Sequence, residues 1–335
     1  MRIALFSTKS YDHHYFDKAN ASFGYELLYH EGSLKPSSVK LAEGCDAVCG
    51  FVNDRLNSET LSQLSEMGIK LIILRCAGFN NVDLEEADAK DITVMRVPAY
   101  SPHAVAEHAV ALILGLNRKT HKAYNRIREN NFSLERLEGF DIHGKTAGVI
   151  GTGNIGRVFA GIMKGFGCRV LGYDVYPSPG AEKEGIVYVS LDELLAESDI
   201  ISLHCPLTPE TYQIINARSL SLIKKGSMLI NTSRGKLINT GDVIKALKSK
   251  QLGYLGIDVY AEEEKLFFKD LSERIIEDDQ IARLMTFPNV LITAHQGFLT
   301  HEALEQIAHT SLQNVKDYFS VKKTGNIVSL QNLGK

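Results

Sequence analysis

The chain has 335 residues, with 37 Lys and Arg against 40 Asp and Glu, a formal net charge of −3, and 44% hydrophobic and 23% charged residues. That length exceeds what one hydrophobic core normally serves, so two domains are expected. The composition excludes long disordered tracts, and cations scattered along the chain exclude a polyanion-binding stripe, so no nucleic-acid partner is expected. Cys45, Cys49, Cys76, Cys168 and Cys205 form no C-x-x-C pair, which reads as reduced thiols of a cytoplasmic protein. "MRIALFSTKSYDHHYF" lacks the apolar core of a signal peptide and no stretch is apolar enough to span a bilayer, so neither export nor a membrane partner is expected.

In chain order, "RIALFS", "YELLYH", "DAVCGFV", "KLIILR" and "ITVMRV" predict five short strands separated by capped helices. Ser58 precedes "ETLSQLSEMG" with Gly68 placed to end that helix, and Asp83 stands three residues before Glu86 as in a capping box. Strand and helix alternating in this way predict a small parallel α/β unit. "YSPHAVAEHAVALILGLNRKTHKAYNRI" offers Ser101 as N-cap and Pro102 as first residue of a long connecting helix. From residue 147 a second series begins, with "AGVIG", "RVLGYD", "VYV", "DIISLH", "MLIN", "YLGID" and "VLITAH" as seven strands of a doubly wound sheet. Finally "THEALEQIAHTSLQNVKDYF" places Leu304, Ile307, Ala308, Leu312, Val315 and Phe319 on one helical face. That helix has no sheet of its own and is expected to dock on the first domain.

Between "AGVIG" and the helix "IGRVFAGIMKGFG" lies the most informative stretch, Gly151-Thr152-Gly153-Asn154-Ile155-Gly156. A G-x-G-x-x-G turn between strand and helix cradles a pyrophosphate: Gly151 makes the tight turn, Gly153 lets backbone approach the ligand, and Gly156 packs helix on strand. The next strand ends at Asp174, whose carboxylate suits the adenosine ribose hydroxyls and repels a 2′-phosphate, so NAD is the expected cofactor. The expected fold is α/β, two Rossmann-like or flavodoxin-like domains with parallel sheets flanked by helices and a cleft between them. Residues 1–100 with 300–335 form a discontinuous substrate domain, and 101–299 form the NAD-binding domain inserted into it.

Chemistry in such a sheet sits beyond the carboxyl ends of its strands. Those ends carry "NTSRG", "DVYAEEE" and "HQG", an arginine, an acidic cluster and a histidine. Hydride transfer to a 2-oxo acid needs a cation for the carboxylate, which Arg234 supplies with its planar fork. It needs an acid for the developing alkoxide, which His295 supplies, and a carboxylate to hold that acid charged. Glu262, Glu263 and Glu264 are all available for the last role, and spacing does not choose among them. "HEALEQIAH" lacks the i, i+4 histidine pair of a zinc motif, and no metal is expected.

Taken together, "STKSYD", "LRCAGFNNVD", "VPAYSP", "GVIGTGNIG", "LHCPLTPET", "NTSRG", "DVYAEEEKLFF" and "AHQGFLT" resemble, in order and nearly end to end, the D-isomer-specific 2-hydroxyacid dehydrogenase family, most closely its bacterial fermentative D-lactate dehydrogenases. The resemblance implies reduction of pyruvate to D-lactate with NADH. It selects Glu263, five residues after Asp258, as the partner of His295, and gives Asp258 to the nicotinamide carboxamide. Cys205, Pro206, Thr232 and Ser233 are implied as further cofactor contacts. Main-chain N–H groups around Ala77 and Gly78 are implied to hold the substrate carboxylate beside Arg234, with Tyr100 and Phe298 as aromatic neighbours. Phe51 matches a position whose bulk limits the substrate side chain and so favours pyruvate. Ala261 departs from the pattern, standing where an acidic residue is common. The family also implies a homodimer or higher oligomer with contacts around 101–145. The competing readings are a dehydrogenase for larger 2-oxo acids and an NAD-sensing binding protein of the same fold.

Overall fold

The computed structural model describes residues 1–178, 180–322 and 324–330, the side chain of Lys265 excepted. The chain divides into two compact units, Met1–Ser101 with Leu299–Lys335, and Pro102–Phe298. The first unit opens with β1 (Arg2–Leu5), α1 (Ser10–Asn20), β2 (Glu26–Tyr29), β3 (Ala47–Gly50), α2 (Ser58–Glu66), β4 (Leu71–Leu74), α3 (Leu84–Ala89) and β5 (Thr93–Arg96). β3 and β4 are apolar on both faces and buried along their length, as strands flanked by helices on both sides must be.

Capping differs from expectation at α2. Its N-cap is Asn57, whose side chain accepts from Thr60 N, so Ser58 is the first helical residue rather than the cap. Asp83 does cap α3 through Glu86 N, but the Glu86 carboxylate turns away to accept from Ser62 Oγ instead of closing a capping box.

The second unit runs α4 (Pro102–Arg118), α5 (Thr120–Arg128), β6 (Thr146–Ile150), α6 (Asn154–Gly165), β7 (Arg169–Tyr173), β8 (Ile186–Tyr188), α7 (Leu191–Glu197), β9 (Ile200–Leu203), α8 (Ala217–Leu222), β10 (Ser227–Asn231), α9 (Thr240–Lys248), β11 (Leu252–Ile257), α10 (Asp279–Met285) and β12 (Val290–Ile292). The expected single connecting helix is broken in two at Lys119, which sits in the left-handed region at φ +50. Just before the break, the Asn117 side chain bonds the main chain of Phe140 on both its atoms, tying the end of α4 to the loop that leads into β6 instead of letting it continue.

All seven strands of this unit are parallel, in the order β12-β11-β10-β9-β6-β7-β8. Successive residues of β6 serve opposite faces: Val149 joins the core under α4 and α6, and Ile150 the core under α7 to α10. The strand order reverses between β6 and β9, the place where such sheets leave a crevice at their carboxyl edge.

α11 (His301–Phe319) and β13 (Ile327–Val328) then return to the first unit. α11 packs on α1 and β4, burying Leu304, Ile307, Ala308, Leu312 and Val315, whereas Phe319, expected on that face, is 45% exposed because it lies in the last turn. β13 pairs antiparallel with β5, completing a sheet ordered β13-β5-β4-β3-β1-β2 that is otherwise parallel. A strand of two residues offers too little pattern for a sequence reading to detect.

Candidate active site

The glycine turn follows β6, and its geometry explains each glycine by what surrounds it. Gly151 adopts φ +96, and a Cβ there would lie 2.4 Å from the backbone N of Cys205, so the turns after β6 and β9 touch main chain to main chain. A Cβ on Gly156 would lie 1.9 Å from Gly151 O, which makes the helix–turn contact possible for glycine alone. A Cβ on Gly153 would meet nothing within 4 Å, so that side of the turn is open. Gly153 is also the N-cap of α6 and has no side chain to satisfy the first-turn N–H groups of Asn154, Ile155 and their neighbours. Uncapped N–H groups at an open helix start form an anion site fitted to a pyrophosphate.

Asp174 ends β7 beside this turn. Its Oδ2 accepts from Thr152 N at 2.6 Å and Thr152 Oγ1 at 3.2 Å, and its Oδ1 accepts from Tyr176 N at 3.0 Å. The Thr152 hydroxyl also meets Tyr188 Oη at 2.7 Å, so the carboxylate is fixed in place while Oδ1 keeps room for a ribose hydroxyl. Thr232 Oγ1, at the end of β10, is buried without a hydrogen-bond partner, an acceptor or donor waiting for a ligand. Anion site, ribose carboxylate and orphaned hydroxyl together fit a dinucleotide. Around them, Ser233 Oγ donates to Cys205 O at 2.6 Å, tying the turns after β9 and β10, and Pro206 O accepts from Thr211 Oγ1 at 2.7 Å within the first of these. Burial pushes the Cys205 thiol up to about 12, so it stays protonated and has no nucleophilic character.

Three neighbouring strands, β10, β11 and β12, carry the expected arginine, acidic cluster and histidine at one edge. Beyond β10, Asn231 is fully buried, accepting from Ser233 N and donating to Arg234 O, which shapes the turn that presents Arg234. Arg234 is half-buried and its Nη1 donates to Ser233 O at 2.7 Å. Gly235 follows because a Cβ there would lie 2.1 Å from Tyr260 C: the arginine turn and the acidic turn after β11 are pressed backbone to backbone. Within the acidic turn, Glu263 Oε2 accepts from Tyr260 N at 3.0 Å and Oε1 meets His295 Nδ1 at 2.9 Å, whereas Glu262 and Glu264 are exposed. A carboxylate accepts only, so His295 Nδ1 carries a proton and Nε2 is left for other work. Both side chains remain about one-fifth accessible, His295 at 18% and Glu263 at 21%. Arg234 and His295 follow strands two positions apart in the sheet and so rise from the same edge.

His295 itself is in the left-handed region at φ +52. Asp258, at the end of β11, holds it there. Asp258 O accepts from His295 N, Oδ1 from Gln296 N and Thr293 Oγ1, and Oδ2 from Gly297 N. His108 Nε2, from α4, approaches Thr293 Oγ1 at 3.0 Å and Asp258 Oδ1 at 3.3 Å. Burial works against the charge on Asp258, yet the hydrogen bonds from His108, Thr293 and Gln296 hold its carboxyl below the usual range. Sequence reasoning missed His108, Thr293 and Asn231. His108 lies 185 residues from Thr293 and reads as one more polar residue on an apolar helix. Asn231 before "TSRG" is a common turn former that carries no signal of its own.

The first unit gathers its own set. Phe51 follows β3 and is buried, with the Arg75 guanidinium 4.6 Å from its ring centre. Asn81 Nδ2 donates to Phe51 O and Asp54 O, joining that loop to the one after β4. There, Ala77 O accepts from Arg96 Nη1 at 2.9 Å and Gly78 O from Cys76 Sγ at 3.2 Å. Tyr100 lies near the end of this unit's first segment, and the buried Phe298 closes the second unit. Among the described residues no group of three His, Cys, Asp or Glu is placed to hold a metal, and no helix is long and apolar enough to cross a membrane.

Residues 110–297 match the family described as D-isomer specific 2-hydroxyacid dehydrogenase, NAD binding domain. A 2-hydroxyacid dehydrogenase homolog of Zymomonas mobilis is 53% identical over 319 residues, covering 95% of this chain and 96% of that protein. The D-lactate dehydrogenase of Escherichia coli is 52% identical over 317 residues, covering 95% and 96%. Among solved structures, the pyruvate reductase of Chlamydomonas reinhardtii superimposes with a TM-score of 0.92 at 45% identity, covering 97% of this chain and 98% of that one. With its nucleotide turn, its Asp174 carboxylate and this end-to-end similarity, the chain belongs to the D-isomer-specific 2-hydroxyacid dehydrogenase family and is an NAD-dependent oxidoreductase.

Proposed function

We propose that the protein reduces pyruvate to D-lactate, with His295 as acid, Glu263 as its partner and Arg234 as the carboxylate anchor. The observation that carries this reading is the contact between Glu263 Oε1 and His295 Nδ1 at 2.9 Å, which orients the imidazole and leaves Nε2 to face substrate. NADH, when bound, supplies the hydride that adds to the ketone carbon. His295 Nε2–H gives its proton to the ketone oxygen as charge builds there, and the Glu263 carboxylate stabilises the imidazolium before the transfer. In lactate oxidation the same nitrogen takes the proton back. Arg234, always charged, binds the substrate carboxylate through two N–H groups and fixes which face of the ketone is presented.

Pyruvate is favoured over larger 2-oxo acids by the buried bulk of Phe51 at the order reversal between β1 and β3 of the first unit's sheet, and by the names of the E. coli and Chlamydomonas relatives. The broader name of the Zymomonas relative favours the competing reading, which a panel of 2-oxo acids of increasing side-chain size separates. Exposed Tyr124, Ile127, Phe132 and Leu134, in and just after α5, support the segment 101–145 as a self-association surface, readable as a concentration-dependent mass in solution. The deciding experiment follows NADH consumption with pyruvate and resolves the product on a chiral column. Turnover to D-lactate is expected. L-lactate, or NADH binding without turnover, overturns the proposal.

A further inference from the structure

We infer that His108 is a positioning residue for His295, acting through Thr293 and Asp258; the inference rests on the reading of His295 as the acid. The starting point is the backbone of His295, held at φ +52 where an L side chain rarely sits. Such a conformation persists only where its surroundings over-determine it. What over-determines it here is one residue: the N–H groups of His295, Gln296 and Gly297 all donate to Asp258.

That clamp works only while Asp258 is a carboxylate with both oxygens aimed at the turn. Asp258 is 1% exposed, and a buried charge persists only when hydrogen-bonded and paired. Thr293 Oγ1 donates its single proton to Oδ1 at 2.5 Å. Having spent that proton, Thr293 can only accept from His108, so the His108 proton resides on Nε2. The order of donation is therefore His108 to Thr293 to Asp258, with His108 Nε2 also 3.3 Å from Oδ1. His108 brings to this chain a fixed reference, because its neighbours Val105, Ala109 and Leu112 bury α4 in the core. The imidazole of His295 is thus aimed from two sides, by Glu263 at its ring and by the His108 chain at its backbone.

Steady-state kinetics, NADH titration and thermal unfolding of six variants test this. His108→Leu is expected to lower kcat about 10- to 100-fold, the range for stripping a donor from a buried charged group, with KM for pyruvate and Kd for NADH within about twofold. His108→Gln, whose amide N–H lies near the position of Nε2, is expected to recover most of that loss. Asp258→Asn is expected to lower kcat as well, and adding His108→Leu to it should cost nothing further. Wild-type kcat in His108→Leu overturns the inference, as does a raised KM at unchanged kcat, a folded His108→Gln no better than Leu, or full additivity with Asp258→Asn. If His108→Leu does not fold, the near-isosteric Thr293→Val interrupts the same chain: a matching fall in kcat supports the inference and an unchanged kcat overturns it. His295→Gln separates the premise. Near-normal turnover there removes the acid reading and the positioning role with it, whereas lost turnover beside an unaffected His108→Leu removes the positioning role alone.

Discussion

Two turns at the carboxyl edge of the same sheet do their work by opposite means. The cofactor turn after β6 is made of main chain: glycines remove every side chain that would block the approach, and α6 offers bare N–H groups. The proposed catalytic turn after β12 is made of side chains that converge from α4, β11 and the acidic turn, with Asp258 at their centre. A site that binds a pyrophosphate needs only a concavity of N–H groups, and six consecutive residues build one. A site that moves a proton needs one nitrogen held in one direction, and that requires supports from several elements. Two histidines at this edge are treated differently: His204, just after β9, is held neutral by burial, its titration pushed down to about 3, while His295, after β12, is partnered by a carboxylate.

The largest expected effect separates substrate from cofactor chemistry. Arg234→Lys keeps the charge but loses the planar fork, and kcat/KM for pyruvate should fall by about a thousandfold, comparable to deleting a catalytic hydrogen-bond donor, while Kd for NADH stays unchanged. An equal loss of NADH affinity in a titration would move Arg234 from the substrate to the cofactor.

Gly156→Ala attacks the main-chain turn instead. The added methyl collides with Gly151 O, and relieving such overpacking costs about 1–3 kcal/mol, so NADH affinity should drop about 10- to 100-fold with little change in the pH dependence of turnover. Wild-type NADH affinity by fluorescence titration would show that the turn tolerates a side chain.

The same contrast resolves the three glutamates. Glu263→Gln replaces the carboxylate that meets His295 Nδ1 with a neutral amide, so pyruvate reduction should weaken about tenfold. Glu262→Gln and Glu264→Gln, at exposed positions, should leave turnover in place. Turnover that falls with Glu262 or Glu264 and not with Glu263 would break the assignment.

His204 is expected to leave turnover unchanged and to act on stability alone. Its ring lies 4.8 Å from Phe159, and its Nε2 meets Ser202 Oγ at 2.9 Å. Because its titration is lowered on folding, the unfolded chain binds a proton below about pH 6.5 that the folded one refuses, down to about pH 3. The stability it leaves intact above pH 6.5 is lost as pH falls, by about 2 kcal/mol at pH 5. His204→Gln should flatten that part of the pH dependence in urea unfolding, and an unchanged slope between pH 7 and pH 5 would place the acid sensitivity elsewhere.

What was legible in the sequence follows the same division. The glycine turn, Asp174 and the alternation of strands and helices are local patterns, and periodicity with turn chemistry exposes them. The choice of Glu263 needed the family resemblance, because three adjacent glutamates have the same local signature and the contact with His295 spans 32 residues. His108 was invisible, since a polar residue on an apolar helix acquires meaning only from the strand end it meets. Local signals failed too where tertiary contacts outvote them: Asn117 ends α4 within a run of good helix formers, and Asn57 takes the capping role from Ser58.

Because the second unit is inserted into the first, the order of synthesis and the order of completion differ. On the ribosome, residues 1–101 emerge first, but the helix that covers their sheet, α11, and the strand that closes the β5 edge, β13, emerge only after the whole second unit. The nucleotide-binding unit can finish its core from one continuous stretch, while the older segment waits with an apolar face and an open edge. The charge at that edge makes the wait safer: Thr93–Arg96 ends in an arginine rather than another apolar residue, and a charged edge discourages pairing with a neighbouring nascent chain.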